Sequence, residues 1–100
     1  MILEHAVLEV RPGQEQAFEA AFDQAGAIIS GATGFVSISL GRCVEAQGRY
    51  LLLVEWESLD DHVVGFRGSE AFGRWKALLH HFYEPFPLVE HYRAVTAGPS

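Results

Sequence analysis

The sequence predicts an α+β domain with one four-stranded antiparallel sheet and its helices on a single face. Three observations carry this prediction. Four short segments are rich in aliphatic, β-branched and aromatic residues and are bounded by glycine, proline or serine. Longer segments between them repeat apolar residues at three- and four-residue spacing, the mark of an amphipathic helix. The order along the chain is β-α-β-β-α-β.

Ile2 to Val10 form the first strand, ended by Arg11-Pro12-Gly13. From Gln14 to Ser30, Phe18, Ala21, Phe22, Ala25, Ile28 and Ile29 fall on one helical face, and Gly31 closes the helix. Phe35 to Gly41 alternates, with Val36, Ile38 and Leu40 on one side and Phe35, Ser37, Ser39 and Gly41 on the other. Ala46-Gln47-Gly48 reads as a hairpin turn into a third strand, Arg49 to Glu57, whose apolar centre suggests cover on both sides. Ser58 caps a short helix reaching about Phe66, with Asp61 in place of a capping-box glutamate. Ser69 caps a second piece, in which Phe72, Trp75, Leu78, Leu79 and Phe82 form a stripe that ends before Pro85 and Pro87. Leu88 to Val95 supplies the last strand, and 96–100 reads as a frayed tail to a single domain whose core is 2–95.

This order is the ferredoxin-like, split βαβ arrangement. Both helices lie on one face of the sheet, and the other face, which includes either Leu51 and Leu53 or their alternates, is bare in a monomer. A homodimer through that open sheet face is the simplest cover, because a chain of 100 residues buries a thin core.

The formal net charge is −6, with seven Lys and Arg scattered singly, so no phosphate-backbone footprint is present and nucleic acid is not expected as a partner. The N-terminus lacks a signal-peptide pattern and no apolar run approaches the ~20 residues of a membrane span, so a cytoplasmic protein with no membrane partner is expected. A single cysteine, Cys43, reads as a small hydrophobe or a strand residue.

The five histidines are the candidate chemistry. On a helical wheel with Phe72 at zero, the apolar stripe centres near roughly 290°, with His80 near about 80° and His81 near about 180°. Both are expected to point away from the core, and adjacent residues on a helix diverge, so this pair is no metal motif. They suit the carbonyl-rich end of a helix instead. His5 and His91 read as core or interface histidines with one hydrogen-bond partner each, although their facing is not fixed. His62, beside Val63, Phe66 and Trp56, admits two readings: a satisfied core histidine, or the imidazole of a small aromatic pocket. No nucleophile elbow, P-loop, dinucleotide fingerprint or spaced metal-binding carboxylates occur.

The stretch Glu55-Trp56-Glu57-Ser58, followed by Asp61-His62, Phe66, Ser69, Phe72 and Trp75, resembles the antibiotic biosynthesis monooxygenase family. Arg11-Pro12-Gly13, Gly34-Phe35 and Glu90-His91-Tyr92 extend the resemblance over about residues 2–95. It implies a dimeric α+β barrel, two sheets face to face, with a pocket in each subunit between sheet and helices. Members acting on polycyclic aromatics are cofactor-free oxygenases, in which the deprotonated substrate activates oxygen, so no metal or flavin is implied. Trp56 matches their tryptophan, and His62 falls near their helical tyrosine. Leu52 and Lys76 replace their asparagine and arginine. In the haem-degrading branch the needed asparagine, tryptophan and histidine correspond to Ala6, Phe66 and Lys76, which argues against haem breakdown.

Two functions follow. One is a cofactor-independent monooxygenase for a small aromatic quinol, phenol or anthrone, with His62 transferring the proton and Trp56, Leu52, Phe66, Phe72 and Trp75 binding the substrate. The other is a non-enzymatic dimeric module that binds a small ligand or serves in stress. An open cavity beside Trp56 with His62 in its wall separates them from a domain whose pocket is filled by its own side chains.

Overall fold

The computed structural model describes residues 1–96, so most of the tail expected over 96–100 lies outside the described residues. Its elements are β1 (Ile2–Glu9), α1 (Glu15–Ile29), β2 (Phe35–Arg42), β3 (Arg49–Trp56), a π-helix (Asp61–Phe66), α2 (Glu70–Leu79), a 3₁₀ turn (His80–Phe82) and β4 (Val89–Tyr92). The strands form one antiparallel sheet in the order β2-β3-β1-β4, the ferredoxin-like arrangement. β1 and β3 pair along their whole length, from Ile2 opposite Trp56 to Glu9 opposite Arg49. β4 is shorter than the expected Leu88–Val95. Its register sets Tyr92 opposite Leu3, and the pairing with β1 ends there.

Side chains alternate along a strand, so Ile2, Glu4, Ala6 and Leu8 of β1 share the helix-side face with Tyr50, Leu52, Val54 and Trp56 of β3. α1 packs on it with Phe18, Phe22, Ala25 and Ile29, and α2 with Trp75 and Leu79. Each large apolar side chain buried in this way contributes about 1.5–3 kcal/mol. A β-bulge between Phe35 and Ser37 corrects the alternation expected for β2. Phe35 stands edge-on to Trp56, with ring centroids 6.1 Å apart, and Val36 is left exposed. Gly34, just before the bulge, has φ +81°, and a Cβ there would collide with the Asp61 carboxylate.

Among the described residues nothing covers the other face of the sheet. Val7, Leu51 and Tyr92 are 40%, 38% and 49% exposed there, and Leu53 is half-buried, so β3 is covered on one side only within a single chain. On the same face His5 stands edge-on to Tyr92, and its Nδ1 is buried without a hydrogen-bond partner. No helix among the described residues is long and apolar enough to cross a membrane.

Candidate active site

Beyond Trp56 the chain leaves the sheet, and the Ser58 Oγ accepts the amide of Asp61 at 3.2 Å, the cap anticipated from the sequence. The next turn is wider than an α-helix. The amide of Arg67 donates to the carbonyl of His62, five residues back, at 3.0 Å. Such π turns recur at functional sites, and this one turns both His62 and Phe66 into the interior.

His62 closes a polar cluster drawn from four elements. Its ring stacks on the Trp56 indole, with centroids 5.1 Å apart and planes 15° from parallel. Its Nε2 lies 3.3 Å from Glu4 Oε1, and its Nδ1 lies 2.8 Å from His91 Nε2. The Trp56 Nε1–H donates to the same Glu4 Oε1 at 2.9 Å. Sheet register explains the meeting: Glu4 sits opposite His91 on one side and Val54, two residues before Trp56, on the other. Glu4 is 6% exposed and His62 3%.

Burial dominates the electrostatics here. It pushes the Glu4 carboxyl above its usual range, against the opposing Trp56 hydrogen bond and the Arg67 charge. Burial, helped by Arg67 and His91, pushes the His62 imidazole down to about 3. The ring is therefore neutral at pH 7, and its 3.3 Å approach to Glu4 is a polar contact rather than an ion pair. A neutral imidazole has one N–H. In the 2.8 Å pair between His62 Nδ1 and His91 Nε2, either nitrogen can donate, according to tautomer.

The cluster forms one end of a cavity of about 450 Å³ between the sheet, the π-helix, α2 and the segment before β4. Clefts of this size hold small organic molecules. Glu4, His62, Arg67 and Tyr83 supply polar groups, while Leu52, Phe66, Phe72 and Trp75 supply apolar wall. Burial, together with the Glu4 charge, pushes the Tyr83 phenol up. Phe86 and Leu88, 66% and 74% exposed, form the rim.

Five of the six residues singled out from the sequence, His62, Leu52, Phe66, Phe72 and Trp75, thus meet around one space. Trp56 has no exposed surface, lies behind His62 and reaches the site only through its N–H. The orientation expected of His80 is corrected. His80 stands two turns beyond Phe72 on one edge of the helix, and the segment carrying Tyr83 and Phe86 folds back against that edge, so His80 becomes part of the cavity wall. There it packs edge-on to Phe72 and Phe86, and burial pushes its pKa down. His81 is exposed, as expected. Cys43, in the β2–β3 hairpin, lies away from this cavity and donates to Glu45 Oε1 at 3.5 Å.

Sequence reasoning missed Glu4, Tyr83 and the tie between His62 and His91. For Glu4 a signal was available: Ile2, Ala6 and Leu8 face inward, and the two-residue period carries Glu4 with them.

An antiparallel sheet with helices on one face, and between them an aromatic-walled cavity ending in a buried carboxylate and imidazole, defines a ferredoxin-like domain with a candidate site. The sequence profile described as antibiotic biosynthesis monooxygenase matches residues 1–78, and the chain belongs to that family. YczJ of Bacillus subtilis (strain 168), an uncharacterized protein, is 56% identical over 95 residues, covering 95% of this chain and 100% of that one. A solved structure from Bordetella bronchiseptica, classed with the antibiotic biosynthesis monooxygenases, is 39% identical. It superposes with a TM-score of 0.91 over 95% of this chain and 97% of that one. SnoaB from Streptomyces nogalater, a cofactor-independent oxygenase, superposes with a TM-score of 0.82 at 20% identity over 99% and 97% of the two chains, a likeness of fold alone.

Proposed function

We propose that the protein is a cofactor-independent monooxygenase for a small aromatic substrate of the quinol, phenol or anthrone type. The observation that carries this reading is the open cavity with His62 and Glu4 in its wall, where a filled core would have opposed it. Aromatic and aliphatic walls suit a flat ring, and the polar end offers the proton handling that ionisation of such a substrate requires. Exclusion of water by the surrounding side chains protects a reactive carbanion from reprotonation by solvent. Family membership and the likeness to SnoaB, itself cofactor-independent, support the reaction class.

The working form in this proposal is a homodimer through the open sheet face, which would cover Val7, Leu51 and Tyr92 and offer a partner to His5 Nδ1. The decisive assay is oxygen uptake by the purified, chelator-dialysed protein with a panel of hydroquinones and anthrones. Uptake by the wild type that falls in His62→Ala, which removes an imidazole from the polar end of the cavity, supports the reading. Ligands that raise the melting temperature without any oxygen uptake would instead assign the pocket to a non-enzymatic binding module.

A further inference from the structure

Building on the monooxygenase reading of the cavity, we propose that Glu4 is the group that takes the substrate's proton, with Trp56 and His62 holding its carboxylate in position. The two carboxylate oxygens are not equivalent. Oε1 accepts from Trp56 Nε1 at 2.9 Å and has His62 Nε2 3.3 Å away, so it is the oxygen turned towards the protein. Oε2 has no protein partner among the described residues. It is also not among the sealed atoms, since His5 Nδ1 is the one buried side-chain nitrogen or oxygen there that lacks a partner. Oε2 therefore keeps an open side, and the space beside it is the cavity that Glu4 lines.

His62 is poorly suited to the same task. Its Nδ1 is engaged by His91 at 2.8 Å, its Nε2 faces Glu4, and the burial that keeps the ring neutral also makes it a weak base. The same burial strengthens a carboxylate as a base, because the charged form loses solvation. The charged and titratable groups near Glu4 are His62 and Arg67 from the π-helix and its following turn, His91 from β4, and Tyr83 after the 3₁₀ turn. His80 lines the same cavity. Arg67 is the one permanent cation of this set and would balance a substrate anion.

The substrate class this implies has an acidic C–H or O–H beside a ring or carbonyl. In the proton transfer the substrate C–H or O–H bond breaks and an Oε2–H bond forms. The electron pair stays on the substrate as a carbanion or phenolate, and nothing is oxidised or reduced in this step. The carboxylic acid then returns its proton to the oxygenated product, which restores the carboxylate.

The test separates proton abstraction from oxygen chemistry. Anthrone is incubated anaerobically with the full chain in deuterated buffer, and deuterium entry at its acidic carbon is followed by mass spectrometry. The wild type is expected to accelerate exchange over buffer, and Glu4→Gln, which preserves shape and can still accept from Trp56, to lose about 100-fold of that acceleration. Trp56→Phe removes a donor that stabilises the charged carboxylate, so it should move the acid limb of the exchange profile to higher pH, an effect that simple loosening of the fold does not produce. Wild-type exchange without oxygen uptake in air leaves Glu4 standing and removes the oxygenase reading. Oxygen uptake combined with a Glu4→Gln variant that exchanges like the wild type overturns Glu4 and leaves the oxygenase reading intact. If Glu4→Gln does not fold, the wild-type profile decides: exchange lost on acidification with a midpoint above 4.5 supports Glu4, and a flat profile overturns it.

Discussion

His62 should make folding stability depend on pH in a way that can be isolated. Unfolded, its imidazole titrates near 6.5, whereas burial in the cluster lowers the folded value to about 3. A depressed folded pKa means that the contribution is fully present above 6.5 and is lost as pH falls towards 3, because the unfolded chain takes up the proton first. Integrated from pH 7 to pH 4, that uptake favours unfolding by roughly 3 kcal/mol. Glu4 has the opposite sign. Its folded pKa is raised, so its ionised form weakens the fold at neutral pH and acidification removes that penalty. The comparison is therefore best made in a Glu4→Gln background, where the carboxyl no longer titrates. Urea unfolding, followed by fluorescence of the two buried tryptophans, would be measured at both pH values for Glu4→Gln and for Glu4→Gln/His62→Gln at one protein concentration. The single variant should lose about 3 kcal/mol more than the double variant on acidification. Equal losses would mean that the imidazole is protonated as readily in the fold as in the unfolded chain, and would refute the buried, neutral His62.

Other perturbations test the remaining parts. Phe72→Ala removes one ring from the cavity wall and should weaken binding of an aromatic ligand about tenfold in a calorimetric titration, since one exposed ring face contributes ~1–2 kcal/mol. Leu51→Glu places a charge on the open sheet face and should shift a dimer to monomer in light scattering. Unchanged mass in that variant would direct the search for a partner surface elsewhere. Gly34→Ala combines a disfavoured positive φ with a collision against Asp61, and should cost at least about 1 kcal/mol in urea unfolding.

What could be read in advance was local. Arg11-Pro12-Gly13 and Ala46-Gln47-Gly48 stop strands by their own backbone chemistry, and the repeat of Phe18, Phe22, Ala25 and Ile29 marks a buried helical face. Part of the aromatic wall was legible for the same reason, because Phe72 and Trp75 are three residues apart on one side of α2. The rest depended on departures from ideal periods or on distant pairing. The bulge after Phe35 turns that ring inward and Val36 out. His80 becomes cavity wall because the segment with Tyr83 and Phe86 folds back against it, a tertiary contact that a helical wheel does not contain. The bond between His62 and His91 requires knowing that β4 docks on β1 with Glu4 opposite His91, a register that involves residues almost 90 positions apart in the chain. Glu4 was the avoidable omission, since the alternation of its own strand points it inward.

Glu4 and His5 are neighbours that serve opposite sides of one strand. A slip of β1 by a single residue would exchange them, sending the carboxylate to the bare face beside Tyr92 and the imidazole of His5 towards Trp56. The misaligned sheet would lose its buried hydrogen-bond acceptor and place an uncompensated charge where a second subunit is expected to sit. The polar pair thus acts as an alignment key for the sheet, penalising the shifted pairing with electrostatics as well as with lost packing. Variants that weaken the key at Glu4 should therefore be examined for altered strand pairing as well as for altered chemistry.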